Sequence, residues 1–281
     1  MKCELVDVFA REKLNGNGLT IFSDCDELCS KEMLAWAQEM RQFESIFLQV
    51  KADEYHARIF TVEEELGFAG HPLLGLTYHL HERFGSDSEH EWTVHINGRP
   101  LRLSSKKTDS EFIATMSQGR PFYSYSLSED EAQVLYSSLN LTKPDGLSSG
   151  AEVISTGLPY VILPVRSQLE NISFNVRDLS PLIEPYGGKF LYVLDVDTLE
   201  GRTWDNKGLF EDVATGSAAG PVSAYLFKHG FVGDGEVIIK QGRFLGRPSE
   251  VKVRVVTCSS EIEDLQVSAN VVKVADIAIL C

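Results

Sequence analysis

Apolar and polar positions along this 281-residue chain alternate between two periods. Residues 5–9 and 19–22 are short apolar runs on either side of the turn-forming Asn15-Gly16-Asn17-Gly18, which predicts a pair of strands. From Asp24 to Met40 the acids come early and Leu28, Leu34 and Trp36 follow inside, which predicts a helix. Residues 45–50 and 57–61 again read as strands, so Glu44 falls at the seam between a helix exit and a strand entrance. A second helix is predicted from Pro72 through Leu76 and Leu80 to Phe84, with Gly85 as its stop. Strand-like segments follow at 92–96, 101–103 and 112–116, then a polar stretch at 117–128, then a third helix from Ala218 to Lys228 stopping at Gly230. The last run, 267–280, is rich in Val, Ile and Ala and reads as strand that could return to the first half.

Two of these helices open on matching glycine motifs. One is Phe68-Ala69-Gly70-His71-Pro72-Leu73-Leu74-Gly75, the other Ala214-Thr215-Gly216-Ser217-Ala218-Ala219-Gly220-Pro221. A glycine ahead of a helical run leaves first-turn amides pointing out of the helix end, where they favour an anion such as a carboxylate. Arg58-Ile59-Phe60 precedes the first motif and Arg202-Thr203-Trp204 the second at similar distances, so each copy reads as strand, loop, glycine turn, helix. The common offset predicts an internal duplication and two domains, 1–117 carrying Glu44 and the first motif and 118–281 carrying the second.

Composition narrows the partners. A hydrophobic content of 43% over this length is enough for a sizeable core. The formal charge of −15, from 41 acidic and 26 basic side chains, opposes binding to the phosphate backbone of nucleic acids. It also repels small anions at long range, so an anionic ligand must be held by local amides and hydrogen bonds. The acidic N-terminal segment does not read as a signal peptide, and no apolar run approaches membrane-spanning length, which predicts a soluble, cytoplasmic protein without a membrane partner. Five scattered cysteines, Cys3, Cys25, Cys29, Cys258 and Cys281, do not form a disulfide pattern. Cys25 and Cys29 lack the second pair that a zinc set requires.

The residues that could carry chemistry are Glu44, His71, Asp212 and Ser217, with Gly70 and Gly216 at the helix starts. Each has a structural reading: a solvated glutamate, a turn-binding imidazole, and an aspartate and serine that cap a helix. Together, a carboxylate base, an imidazole, an acid and a hydroxyl beside two helix N-termini suit proton abstraction next to a carboxylate.

The chain resembles the PhzF-like phenazine-biosynthesis isomerase family through a set of stretches in one order. These are Val6-Asp7-Val8-Phe9-Ala10, Glu44-Ser45-Ile46-Phe47-Leu48, Arg58-Ile59-Phe60-Thr61, Ala69-Gly70-His71-Pro72-Leu73-Leu74-Gly75, Glu211-Asp212-Val213-Ala214-Thr215-Gly216-Ser217-Ala218-Ala219-Gly220-Pro221, and Gln241-Gly242 with Gly246-Arg247-Pro248-Ser249. The resemblance implies a mixed α/β (α+β) fold like that of diaminopimelate epimerase: two pseudo-symmetric domains, each a β-sheet or barrel wrapped around a central helix, with the active site in the cleft between them. It implies a homodimer and an isomerase that uses neither metal nor organic cofactor. Glu44 would remove a proton from a ring carbon of a small carboxylate-bearing, dihydroaromatic substrate and return it at another. His71, Asp212 and Ser217 would act with Glu44 as catalytic residues that support the proton movement, and together with Gly70 and Gly216 they would hold the substrate's polar groups. Epimerases of the same fold use two thiols, and the matching positions are Ala69 and Thr215, neither of which can act as a thiolate. Phe43, Gly18, Val62 and the loop Asp205-Asn206-Lys207 depart from the family's usual letters, so the resemblance speaks more to reaction type than to substrate. A small-carboxylate-binding protein without turnover on the same fold is the alternative.

Overall fold

The computed structural model describes residues 1–52 and 54–280; Asp53 and Cys281 lie outside the described residues. The chain divides into two compact units. One comprises Met1–Ser117, Gly246–Glu250 and the chain from Ser268 onward; the other comprises Gln118–Leu245 and Val251–Val267.

In the first unit the strands are β1 (Lys2–Val8), β2 (Asn17–Ser23), β3 (Glu44–Lys51), β4 (Glu54–Phe60), β5 (Glu65–Leu66), β6 (Glu89–Ile96), β7 (Arg99–Lys107) and β8 (Phe112–Ser117), with helices α1 (Ser30–Met40) and α2 (Gly70–Phe84). They pair in the order β1-β2-β3-β4-β6-β7-β8, and the last strand of the chain, Glu261–Ile277, bonds to both β8 and β1 and so closes a barrel of eight strands. β5 is a two-residue addition to β4. Closure leaves no unpaired edge around this ring.

Helix α2 fills the barrel. Its residues from Gly70 to Thr77, and His79 to His81, are buried, as expected of a helix surrounded on every side. The packing is close enough that a Cβ at Gly75 would collide with Leu19 and stand 3.1 Å from Val8 Cγ2, so only glycine lets the helix approach β1 and β2. Outside the barrel, α1 lays Met33 and Ala37 on Phe22, Phe47 and Phe60. The Phe22 and Phe47 rings stack at 4.5 Å, and Phe60 meets Phe47 edge-on at 5.5 Å. With α1 on one face and α2 on the other, β3 is buried over six consecutive residues instead of alternating.

Helix α1 is shorter than the predicted run from Asp24. Asp24 adopts a left-handed φ of 53° and takes Arg83, while the Asp26 carboxylate accepts the Val50 N–H at 3.1 Å. These acids bond to neighbouring elements where helix-opening acids would bond within their own turn.

The second unit repeats the plan. Its strands are β9 (Phe122–Ser126), β10 (Glu152–Ser155), β11 (Pro159–Val165), β12 (Phe190–Asp195), β13 (Glu200–Thr203), β14 (Gly235–Gln241), β15 (Ser249–Cys258) and β16 (Glu261–Ile277), with α3 (Glu129–Ser138), α4 (Ser180–Ile183) and α5 (Gly216–Lys228). β9 lies within the stretch whose polar composition predicts only a crossing; its serines alternate with aromatics. The pairings β10–β11 antiparallel, β11–β12 parallel, β12–β13 antiparallel and β13–β14 parallel reproduce β1–β2, β2–β3, β3–β4 and β4–β6 in kind. Helices α2 and α5 occupy the same place in the two series, and α5 is likewise almost wholly buried. The fold is therefore the expected one, two barrel-like sheets each around a central helix, and the duplication read from the sequence is structural.

A buried charge pair ties α2 to its barrel. His79 Nδ1 contacts a Glu4 carboxylate oxygen, whose partner oxygen lies 3.5 Å from Lys273 Nζ. Burial pushes the Glu4 carboxyl up, but the hydrogen bond and charge of His79, with Lys273, outweigh it and hold the group below its ordinary value. A depressed carboxyl contributes stability that is complete above its unfolded value, about 4.3, and is lost as pH falls through the lower folded value. His79→Ala is therefore expected to cost on the order of 3 kcal/mol at neutral pH, a deficit that should shrink as pH falls below about 4, read by urea denaturation across a pH series. Gly75→Ala should also destabilise, by about 1–3 kcal/mol, in the same assay.

Candidate active site

Glu44 is the first residue of β3, paired in register with Leu19. It shares a strand face with Ile46 and Leu48, opposite Phe47, which packs against α1. Its side chain therefore points to the barrel interior, where α2 begins. His71 is the second residue of α2. Its Nδ1 lies 2.9 Å from Glu44 Oε2, and both residues are buried, at 3% and 6% exposure. The distance is that of an ion pair, yet Oε2 has no hydrogen bond of proper geometry within the described residues. A carboxylate oxygen without such a bond inside a protein keeps its acceptor capacity for another group.

The helix start beside this pair is built from Ala69, whose extended backbone (φ −151°, ψ 139°) leads into Gly70 without a side-chain cap. The first-turn N–H groups are therefore directed out of the helix end and not toward a capping oxygen of the preceding residue.

The second motif opens α5 in a more tightly bonded setting. Thr215 donates its hydroxyl to Asp212 Oδ2 at 2.6 Å. Gln241 donates from Nε2 to the Asp212 carbonyl at 2.8 Å and to Thr215 Oγ1 at 3.0 Å, while its Oε1 accepts the Thr215 N–H at 3.2 Å. The buried Tyr192 hydroxyl donates to the same Gln241 oxygen at 3.2 Å, and its ring crosses β13 where any Cβ on Gly201 would collide with it. Ser217, partly exposed on the first turn of α5, shares a 2.7 Å hydrogen bond with the Tyr160 hydroxyl. Gln118 braces the same turn, donating to the Gly216 carbonyl at 2.9 Å and accepting the Gly220 N–H at 3.2 Å. Before the motif, Arg202 clamps Glu211 with two hydrogen bonds of 2.8 and 2.7 Å.

The structure thus brings Glu44 and His71 into contact and sets Asp212 and Ser217 on either side of the Thr215–Gly216 helix start. Tyr160, Gln118 and Gln241 have no role in the sequence reading. Gln241 stands in a quoted stretch, but nothing in its letter, or in those of Tyr160 and Gln118, tells which helix they hold.

Thiol chemistry has no place at either helix start. Ala69 is a methyl group, and the Thr215 hydroxyl is committed to Asp212. Burial, with the Glu4 charge, pushes the Cys3 thiol up to about 12; burial, with Asp26 and Asp24, does the same to Cys25. Cys25 donates its S–H to the Leu48 carbonyl at 3.2 Å, a structural role.

Residues 6–276 match the model of the phenazine biosynthesis-like proteins, PhzC-PhzF. The chain belongs to this PhzF family. A trans-2,3-dihydro-3-hydroxyanthranilate isomerase from Pseudomonas aeruginosa is 31% identical, the match covering 95% of this chain and 94% of the relative. A solved Pseudomonas aeruginosa structure, described as a predicted epimerase, superposes with a TM-score of 0.93 at 43% identity, covering 100% of this chain and 99% of its own. A probable proline racemase from Agrobacterium radiobacter shares the fold at a TM-score of 0.62 and 13% identity, covering 100% of this chain and 93% of that one. The PhzF-family relatives that match along nearly their full length are isomerases, and this chain is an isomerase of the same family. No helix among the described residues is long and apolar enough to cross a membrane.

Two measurements check the site as described. Iodoacetamide on the native protein should label the exposed Cys29 and Cys258 and spare the buried Cys3 and Cys25, read by peptide mass spectrometry. Thr215→Val should destabilise by about 1–3 kcal/mol in thermal unfolding, because it strips a donor from the buried Asp212 carboxylate.

Proposed function

We propose that Glu44 moves a proton between two carbons of a small, carboxylate-bearing, dihydroaromatic-like substrate, acting first as base and then as acid. The observation that carries this reading is the buried Glu44–His71 contact at the uncapped start of α2, with one Glu44 oxygen lacking a well-formed hydrogen bond. In the first step a substrate C–H bond breaks, its electron pair enters the adjacent unsaturated system, and the carboxylate becomes a carboxylic acid. In the second, the carboxylic acid, its O–H having exchanged with solvent, passes a proton to a different carbon and the carboxylate is regenerated. No electrons leave the substrate and no co-reactant is consumed. One carboxylate suffices because the proton leaves and returns on the same face at different times.

His71 orients Glu44. Asp212 and Ser217 hold polar groups of the substrate, with the helix starts at Gly70 and Gly216 supplying N–H groups for its carboxylate. Tyr160 and Gln118 position the second helix start. The relative that acts on trans-2,3-dihydro-3-hydroxyanthranilate supports the substrate class. Phe43, exposed and next to Glu44, supports a substrate that meets an aromatic ring beside the base. The same reading takes the enzyme to be a cytoplasmic homodimer that uses no metal or organic cofactor and binds neither nucleic acid nor membrane.

The test is solvent exchange in deuterated water with a panel of unsaturated cyclic amino and hydroxy acids, including trans-2,3-dihydro-3-hydroxyanthranilate, read by NMR and mass. Wild type should place deuterium at the newly protonated carbon, and Glu44→Gln should slow turnover by about 10²–10⁴-fold with its amide spectrum unchanged. His71→Asn should lower kcat more than it raises KM. Exchange by Glu44→Gln at the wild-type rate would remove Glu44 from the mechanism; saturable binding with neither exchange nor isomerised product by wild type would mark a binding protein.

A further inference from the structure

The first unit holds a cavity of about 430 Å³ that the proposed chemistry does not use. Its volume falls in the range of small-molecule sites. Tyr78 of α2 lines it, seven residues beyond His71 and so about 10 Å further along the helix axis. The cavity is therefore a different place from the Glu44–His71 pair. Phe112, Val271 and Val272 give it an apolar wall, and Arg11, Glu111, Asn270 and Lys273 supply polar groups.

Those polar groups are unequally committed. Lys273 is engaged by Asp276 at 2.5 Å and Glu4 at 3.5 Å. Arg11 has only a long 3.9 Å approach to Glu111 Oε2, outside hydrogen-bond distance. The Tyr78 hydroxyl makes no hydrogen bond to any described residue; its ring is held edge-on by Phe112 at 5.0 Å. Burial, with the nearby acids Glu82 and Glu4, pushes its pKa up, so it remains a donor at neutral pH. Glu111 is held in place by the nearly buried Asn270, which donates Nδ2 to Oε2 at 2.9 Å and leaves Oε1 as an acceptor. Two uncommitted donors, one fixed carboxylate acceptor and an apolar wall therefore line a single cavity.

We infer that this cavity is a second ligand site, for a small α-amino acid with an apolar side chain. The ligand's carboxylate meets Arg11 and the Tyr78 hydroxyl, its ammonium meets Glu111, and its side chain covers Phe112, Val271 and Val272. The pairing of opposite charges suits a zwitterion. In a protein of net charge −15, a simple anion gains less from one exposed guanidinium flanked by a carboxylate.

The probes are L-phenylalanine, N-acetyl-L-phenylalanine and L-phenylalaninamide, titrated into the full-length protein and followed by backbone amide shifts. L-Phenylalanine should bind saturably with shifts centred on Tyr78, Phe112 and Val272. Removing the ammonium by acetylation or the carboxylate by amidation should each weaken binding about tenfold or more. Arg11→Gln and Tyr78→Phe should weaken L-phenylalanine similarly, while Glu44→Gln should leave its affinity unchanged, which separates this site from the proposed proton-transfer chemistry. Shifts centred on Glu44 and His71, no saturable shifts at all, or affinities indifferent to Arg11, Tyr78 and the two blocked probes would each overturn the inference.

Discussion

Enclosing a helix inside a closed ring of strands is the constraint on which the rest of the first unit depends. A helix so placed has no polar face, so every residue from Gly70 to Thr77 must be accommodated by the barrel wall. Small residues go where strands come close, as at Gly75, and polar residues take a partner from the wall or, as Thr77 does from the Leu73 carbonyl, from the helix itself. His79 meets Glu4, and His81 meets Ser105 at 2.8 Å, an oxygen that also takes the Trp92 indole N–H. His71 meets Glu44 by the same rule, but its partner keeps an oxygen without a well-formed bond. The candidate chemistry and the structural pairs are thus variants of one requirement, that polarity on a buried helix be matched from the wall.

The second unit meets the requirement differently. Helix α5 is richer in small residues, and its polar matching falls at its two ends: at the N-terminal turn Asp212, Thr215 and Gln241 form one hydrogen-bonded group and Ser217 shares the Tyr160 hydroxyl, while toward the other end Tyr225 donates to the Gly150 carbonyl and Lys228 to Glu152. Position for position, β12 begins with Phe190 where β3 begins with Glu44, since Phe190 pairs with Tyr160 as Glu44 pairs with Leu19. The two copies share the scaffold, and only one carries the proposed base. Fold and chemistry are separable to that extent, which also fits the distant likeness to a probable proline racemase.

Segment 246–250 shows how a short stretch far along the chain serves the first unit. Arg247 reaches Asp7 at 2.7 Å and the Gly16 carbonyl at 2.7 Å, pinning the turn that leads into β2. Burial pushes the Asp7 carboxyl up even though the Leu14 N–H and Arg247 stabilise its charge. β2 carries Leu19, the register partner of Glu44, so the placement of the proposed base depends on a residue more than two hundred positions away.

The sequence by itself determined the elements and their repetition. Periodicity located most strands of the first unit and three of the helices, and two glycine motifs at a common offset announced two central helices, because local propensity and capping chemistry are written in neighbouring letters. It could not show that acids at 24 and 26 bond to other elements and shorten α1, nor that 122–126 forms a strand, since both outcomes turn on partners remote in the chain. The four candidate residues were legible as letters beside turns. That Glu44 faces the barrel interior and meets His71, that Asp212 is held through Thr215 and Gln241, and that Tyr78 opens into a separate cavity were decided by the tertiary structure alone. Strand register and helix burial set side-chain direction, and both are properties of the closed barrel and not of any segment within it.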